Sequence, residues 1–168
     1  MPDNTKPKPP GAFLAMVGAA CCAIAVPFVT AKEGTVYRGY RDIVNVPTKC
    51  SGDTNDVVVG RIYTKAECAE STDRQLAGHA EPVLRCTPGL RDHPEQLSAA
   101  ISLAYNIGGN AYCGSTVAKR FNARDWSGAC DAFLAWNRAG GKVVAGLANR
   151  RSDERALCLR NLPRKDAS

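Results

Sequence analysis

The chain has 168 residues, room for one domain, and its 23% charged and 45% hydrophobic residues exclude a wholly disordered protein. Its formal net charge of +6 suits a polyanionic partner (nucleic acid, a membrane surface or an acidic cell wall) and equally suits solubility alone. Eight cysteines in so short a chain mean either disulfides in an oxidising space or a metal site in a reducing one.

Residues 1–10, MPDNTKPKPP, are polar and proline-rich and read as a disordered tail. Gly11 to Ala31 then carries no charge. As a helix it would reach roughly 30 Å, about a bilayer core. Lys6 and Lys8 ahead of it favour a cytoplasmic N-terminus and export of the rest, which delivers the cysteines to an oxidising space. Composition leaves three readings open: a cleaved signal peptide, a permanent anchor, or a weak anchor that inserts and later escapes. Small residues at Ala23-Ile24-Ala25 and Val29-Thr30-Ala31 suit a signal peptidase. The abundance of Ala and Gly, with Pro27, argues against a firm anchor and gives the cleaved signal a slight lead.

From Val36 to about Ile62, short apolar alternations are broken by Asn45, Pro47, Ser51-Gly52-Asp53 and Gly60, which predicts a small β-hairpin region. Thr64-Lys65-Ala66-Glu67 is a capping box and predicts a helix to about Gly78. After a loop at Thr87-Pro88-Gly89, Asp92-His93-Pro94-Glu95 opens a helix with Leu97, Ile101 and Ala104 on one face and a break at Gly108-Gly109. Ser115-Thr116 caps a short helix to about Asn122. Another, from Asp125, spaces Ala129, Phe133 and Trp136 helically and ends at Gly140-Gly141. Two short helices, about 142–149 and 152–160, precede a charged tail. Phe133, Trp136 and Leu147 are expected in the core. The fold class is α+β, mostly helical: a small N-terminal β lobe, then a helical bundle.

The cysteines at 21, 22, 50, 68, 86, 113, 130 and 158 show no zinc-knuckle gap and no C-x-x-C, and His79 and His93 lie apart from them. Disulfides are the better reading, and no metal or cofactor is expected. The six cysteines beyond the N-terminal segment pair in about fifteen ways, among which spacing does not choose.

Glu33 follows the apolar segment, Asp42 comes nine residues later and Thr48 six beyond that. One acid at a helix terminus and another in a hairpin, facing across a cleft, is what inverting glycoside hydrolysis needs. One carboxyl protonates the leaving oxygen, the other directs a water to the opposite face of the sugar, and a hydroxyl holds that water. Taken alone, two acids nine apart are a weak signal that surface residues would also produce.

The surroundings add weight. Glu33-Gly34, Tyr40-Arg41-Asp42 and Thr48 resemble the Glu-eight-Asp-five-Thr signature of the phage-type lysozymes, glycoside hydrolase family 24. Further blocks resemble that family in order: Gly60-x-x-Tyr63-Thr64-x-x-Glu67, Tyr105-Asn106-x-Gly108, Trp136-x-x-Ala139-Gly140-Gly141-Lys142 and Arg150-Arg151-x-x-Glu154-Arg155. The match spans about residues 33–160. It implies a two-lobed lysozyme-like fold that cuts the β-1,4 bond between N-acetylmuramic acid and N-acetylglucosamine in peptidoglycan. Glu33 would be the general acid, Asp42 would position the water, and Thr48 would hydrogen-bond it. Asn106, Arg150, Arg151 and Glu154 match motif positions that packing and salt bridges explain as well. The His of the family's T-x-G-x-G-H stretch is missing here, and Asn45 stands where Gly is common.

Some members, the signal-arrest-release endolysins, carry a weak Ala/Gly-rich transmembrane segment before the catalytic Glu, and this N-terminus resembles theirs. The resemblance implies that residues 1–31 are a tail and arrest segment and residues 32–168 the catalytic domain. It also implies an enzyme tethered inactive to the host inner membrane through residues 11–31, then released to the periplasm. Cleavage after Ala31 would remove the helix that should end at Glu33, so release is favoured, with residues of about 24–32 forming that helix. Peptidoglycan glycan strands are the implied partner, with no nucleic acid, and a monomer is the default. Resemblance also suggests the disulfides Cys50–Cys68, Cys86–Cys113 and Cys130–Cys158. Cys21 and Cys22 read either as small apolar residues or as thiols able to attack a disulfide on release. With Asp at 42, no disulfide can block that position directly. A lytic transglycosylase and a non-catalytic peptidoglycan-binding module are the alternatives.

Overall fold

A computed structural model of the chain describes residues 11–164, so the tail at 1–10 lies outside the described residues. Helix α1 runs Ala12–Glu33 and bends at Gly18, whose φ of 78° is open to a residue without a Cβ. Arg91 Nη1 donates to the Met16 carbonyl beside the bend, at 3.3 Å. Phe13, Val17, Cys21, Ala25 and Val29 are buried at four-residue spacing and pack into the core against α2 (Lys65–Cys86) and α3 (Pro94–Ile107). The helix is therefore much longer than the expected 24–32. It is long and apolar enough to cross a membrane, yet here one stripe of it completes a protein core.

The β lobe pairs β1 (Val36–Arg41) antiparallel with β2 (Pro47–Cys50), Tyr40 opposite Thr48. Residues 58–62 cross the outer edge of β1, with a bridge between Arg38 and Ile62. A Cβ on Gly39 would lie 2.2 Å from the Val58 carbonyl oxygen, so this crossing requires glycine. Under the lobe, buried Asp53 accepts from Ser71 Oγ at 2.5 Å and from Asn55 N at 2.9 Å.

The capping box at the start of α2 is formed as expected, with Thr64 accepting from Glu67 N and Glu67 from Thr64 N. The helix runs to Cys86, however, past the predicted end at Gly78. Leu76, Ala77, Ala80 and Val83 extend the buried stripe, and their burial outweighs the hydrogen bond lost at Pro82. Helix α4 (Gly109–Gly114), absent from the sequence reading, lies close on that proline: a Cβ on Gly109 would sit 2.4 Å from Pro82 Cγ.

Helix α5 (Thr116–Asn122) is capped by Ser115 and α6 (Trp126–Ala132) by Asp125. Gly140-Gly141 does not end α6. It is the turn of a hairpin joining β3 (Arg138–Ala139) to β4 (Lys142–Val143), and both glycines have the positive φ that a two-residue hairpin loop demands. The two short C-terminal helices are one, α7 (Ala145–Cys158), because no breaker separates 149 from 152 and ion pairs span its turns. Phe133 is fully buried as expected, whereas Trp136 and Leu147 are only half-buried on the flank of the helical lobe.

The disulfides are Cys50–Cys68, Cys86–Cys113 and Cys130–Cys158, the pairing the resemblance suggests. Cys21 and Cys22 are free, and Cys21 Sγ lies 3.3 Å from Ser98 Oγ. Cys130–Cys158 closes a separation of 28 residues. Replacing both by Ser should cost about 3–4 kcal/mol through the larger entropy of the unfolded chain. Urea unfolding of the oxidised wild type beside the double variant measures it, and equal midpoints would refute a stabilising role.

Candidate active site

Glu33 is the last residue of α1. Gly34, at φ 70°, ends the helix there and donates its amide to Thr30 O. The Glu33 side chain is 24% exposed and its Oε1 lies 2.5 Å from Arg150 Nη1. Arg150 belongs to a cluster on α7 and α3. Its Nε contacts Glu154 Oε1 at 3.2 Å, and its Nη2 donates to Ser102 O at 3.1 Å. Glu154 is fully buried, accepting from Ser102 Oγ at 2.6 Å and pairing with Arg151 Nε at 2.7 Å. Burial pushes the Glu154 carboxyl upward, while Arg151, Ser102 and Arg150 oppose the rise. Arg151 Nη1 donates to Asn106 Oδ1 at 3.1 Å.

Asp42 sits in the turn between β1 and β2. Its Oδ1 accepts from Val44 N at 3.0 Å and Val46 N at 2.8 Å, a local side-chain turn of the kind Asp favours. Thr48, buried on β2, donates its hydroxyl to Val46 O at 3.0 Å. Asp42 and Thr48 are thus brought together by one residue: the carboxylate holds the Val46 N–H and the hydroxyl holds the Val46 carbonyl. The Thr48 oxygen keeps lone pairs for a further donor.

The chain leaving Glu33 is tied to the far end of β2, where Thr35 Oγ1 lies 3.3 Å from Ser51 Oγ. Tyr105, from α3, makes a second tie between the lobes. Its hydroxyl lies 2.8 Å from Ser51 O and 2.9 Å from Gln75 Oε1. Burial raises its phenol well above the ordinary range, helped by the charges of Glu33 and Asp53. His79 stacks on Tyr105 with ring centroids 4.6 Å apart, and burial lowers its imidazole despite the nearby Glu33. Neither Gln75 nor His79 carries a signal in sequence. Tyr105 lies in a recognisable motif, but only the fold shows what its hydroxyl ties together.

Glu33 thus ends a helix under Arg150, while Asp42 and Thr48 share the β1–β2 turn. The comparisons identify the family. The family model described as phage lysozyme matches residues 30–154. The SAR-endolysin of Enterobacteria phage P21 is 39% identical over 157 residues, covering 88% of this chain and 93% of that protein. A structure of P22 lysozyme superposes with a TM-score of 0.68 at 30% identity, covering 82% of this chain and 96% of that one. The active form of the P1 phage endolysin Lyz gives a TM-score of 0.78 at 20% identity, with 92% and 93% covered. By sequence and by fold, this chain belongs to the phage lysozyme family, as an endolysin-type muramidase of the glycoside hydrolases acting on peptidoglycan.

Proposed function

We propose that the chain hydrolyses the β-1,4 bond between N-acetylmuramic acid and N-acetylglucosamine with inversion, for lysis of the host cell. Glu33 protonates the leaving oxygen, Asp42 directs the attacking water and faces the oxocarbenium-like transition state, and Thr48 hydrogen-bonds that water. The observation that supports this most is the tie of Asp42 and Thr48 to the N–H and the carbonyl of one residue, Val46. A water between them meets an acceptor and a hydroxyl held in fixed relation, which lowers the entropy cost of the attack. Arg150 fixes the acid from behind.

Residues 1–31 act first as a tail and arrest segment ahead of the catalytic domain at 32–168, and on release the α1 stripe joins that domain's core, giving an active monomer. The length and apolarity of α1 support tethering to the inner membrane and later release to the periplasm. While α1 lies in the bilayer, Glu33 is separated from Arg150 and the core lacks the Phe13 to Val29 stripe. The place of Glu33 as the last residue of that same helix supports retention of the segment after release.

The test is clearing of outer-membrane-permeabilised Gram-negative cells, followed by analysis of the soluble products. Clearing with new reducing ends is the expected result. Anhydro ends would make the protein a lytic transglycosylase, and binding to peptidoglycan without products would make it a binding module.

A further inference from the structure

The cluster behind Glu33 is a poor device for stability. Arg151 and Glu154 are completely buried, and the Arg150 side chain is 9% exposed. Taking such charges out of water is costly, and apolar replacements of similar volume often serve a fold at least as well. Three elements nonetheless converge on these ions, and the outermost link touches the acid.

The geometry explains what they accomplish. A guanidinium is planar, so holding two of its edges fixes the direction of the third. Glu154 Oε1 takes the Nε edge of Arg150, and the Ser102 carbonyl, with its hydroxyl at 3.4 Å, takes Nη2. Only Nη1 is left, and it is aimed at Glu33. Glu154 is itself fixed by the Ser102 hydroxyl and by Arg151. We infer that Glu154 and Ser102 are positioning residues for the reaction: they lock the plane of Arg150, which holds the Glu33 carboxyl where a glycosidic oxygen meets it. The inference rests on Glu33 being the general acid. By contrast, the Arg155–Asp131 pair, which joins α7 to α6, is exposed and leads to no site residue.

The experiment measures kcat and KM on solubilised peptidoglycan strands for the full chain, with unfolding temperature alongside. Glu154→Gln keeps the shape and removes the charge. Ser102→Ala, milder, deletes one hydroxyl and guards against misfolding of the first variant. Leu157→Ala, in the buried face of α7, supplies a loss of stability unrelated to the cluster. Both cluster variants should lower kcat about 10- to 100-fold with KM within about twofold, while Leu157→Ala keeps its kcat. In a Glu33→Gln background, adding Glu154→Gln should bring no further loss, because the group being positioned is gone. Losses of kcat no larger than that of Leu157→Ala at equal loss of stability, or losses that multiply in the double variant, would overturn the positioning role. Wild-type kcat in Glu33→Gln alone would instead sink the acid assignment, and this inference with it.

Discussion

Glu33→Gln should lower the rate of peptidoglycan hydrolysis by about 10²- to 10⁴-fold and leave the fold intact. Gln preserves the shape, and its amide oxygen still accepts from Arg150 Nη1, so the contact between α1 and α7 survives in weaker form. Arg150 is buried but keeps Glu154 and Ser102 as partners, so weakening this one contact should change stability by only about 1–2 kcal/mol. What the amide lacks is a proton to give. Asp42→Asn should be similarly severe for a different reason. Its Oδ1 can still accept from Val44 and Val46, so the turn persists, but the charge facing the developing cation is lost. Turbidity loss measured beside thermal unfolding separates chemistry from folding. Wild-type rates in either variant, at normal stability, would remove that residue from the mechanism.

The second large effect concerns the two environments of α1. Ala19, Ala20 and Ala23 are exposed in the folded protein. Replacing all three by Leu should therefore disturb no packing. In a bilayer, each change favours insertion by about 0.5 kcal/mol, and together they shift the partition roughly tenfold. The triple variant should accumulate in the membrane fraction and clear cells late or not at all. Once extracted and folded, it should hydrolyse peptidoglycan at the wild-type rate. An unchanged soluble fraction would refute the tether. Ala25→Leu is not an equivalent change, because Ala25 is fully buried and the larger side chain would strain the core.

Features that depend on neighbouring residues were legible before the fold. The Thr64–Glu67 capping box and the Ser115 cap satisfy backbone amides within four residues, and proline in the first turn of α3 removes a donor that would have no partner there. Features settled by distant partners were not. Helix α2 passes Gly78 because the stripe from Leu76 to Val83 meets other helices, and α4 is recognisable only against Pro82. Gly140-Gly141 suits a helix stop and a hairpin turn equally, and the pairing of Arg138 with Val143 decides between them. Glu33, Asp42 and Thr48 stand out through a family motif, and their spacing alone says little. Arg150 and Glu154 stood in a motif as well, yet their bearing on the site appears only when α7 meets a helix end 117 residues away in sequence.

The N–H and the carbonyl of Val46, which belong to the two peptide units flanking its Cα, tie Asp42 to Thr48, and this has a consequence for how the β lobe can vary. Pro47 follows it, and a residue before proline is confined to extended conformations, so Val46 has little freedom of its own. The carboxylate and the hydroxyl are geared to one rotor that scarcely turns. Because the Val46 backbone is restricted, a loop substitution that turns one of these two peptides carries the other with it and shifts both groups at once. In the proposed mechanism, independent adjustment of the reacting groups then falls to the acid, which has a separate mounting at the end of α1.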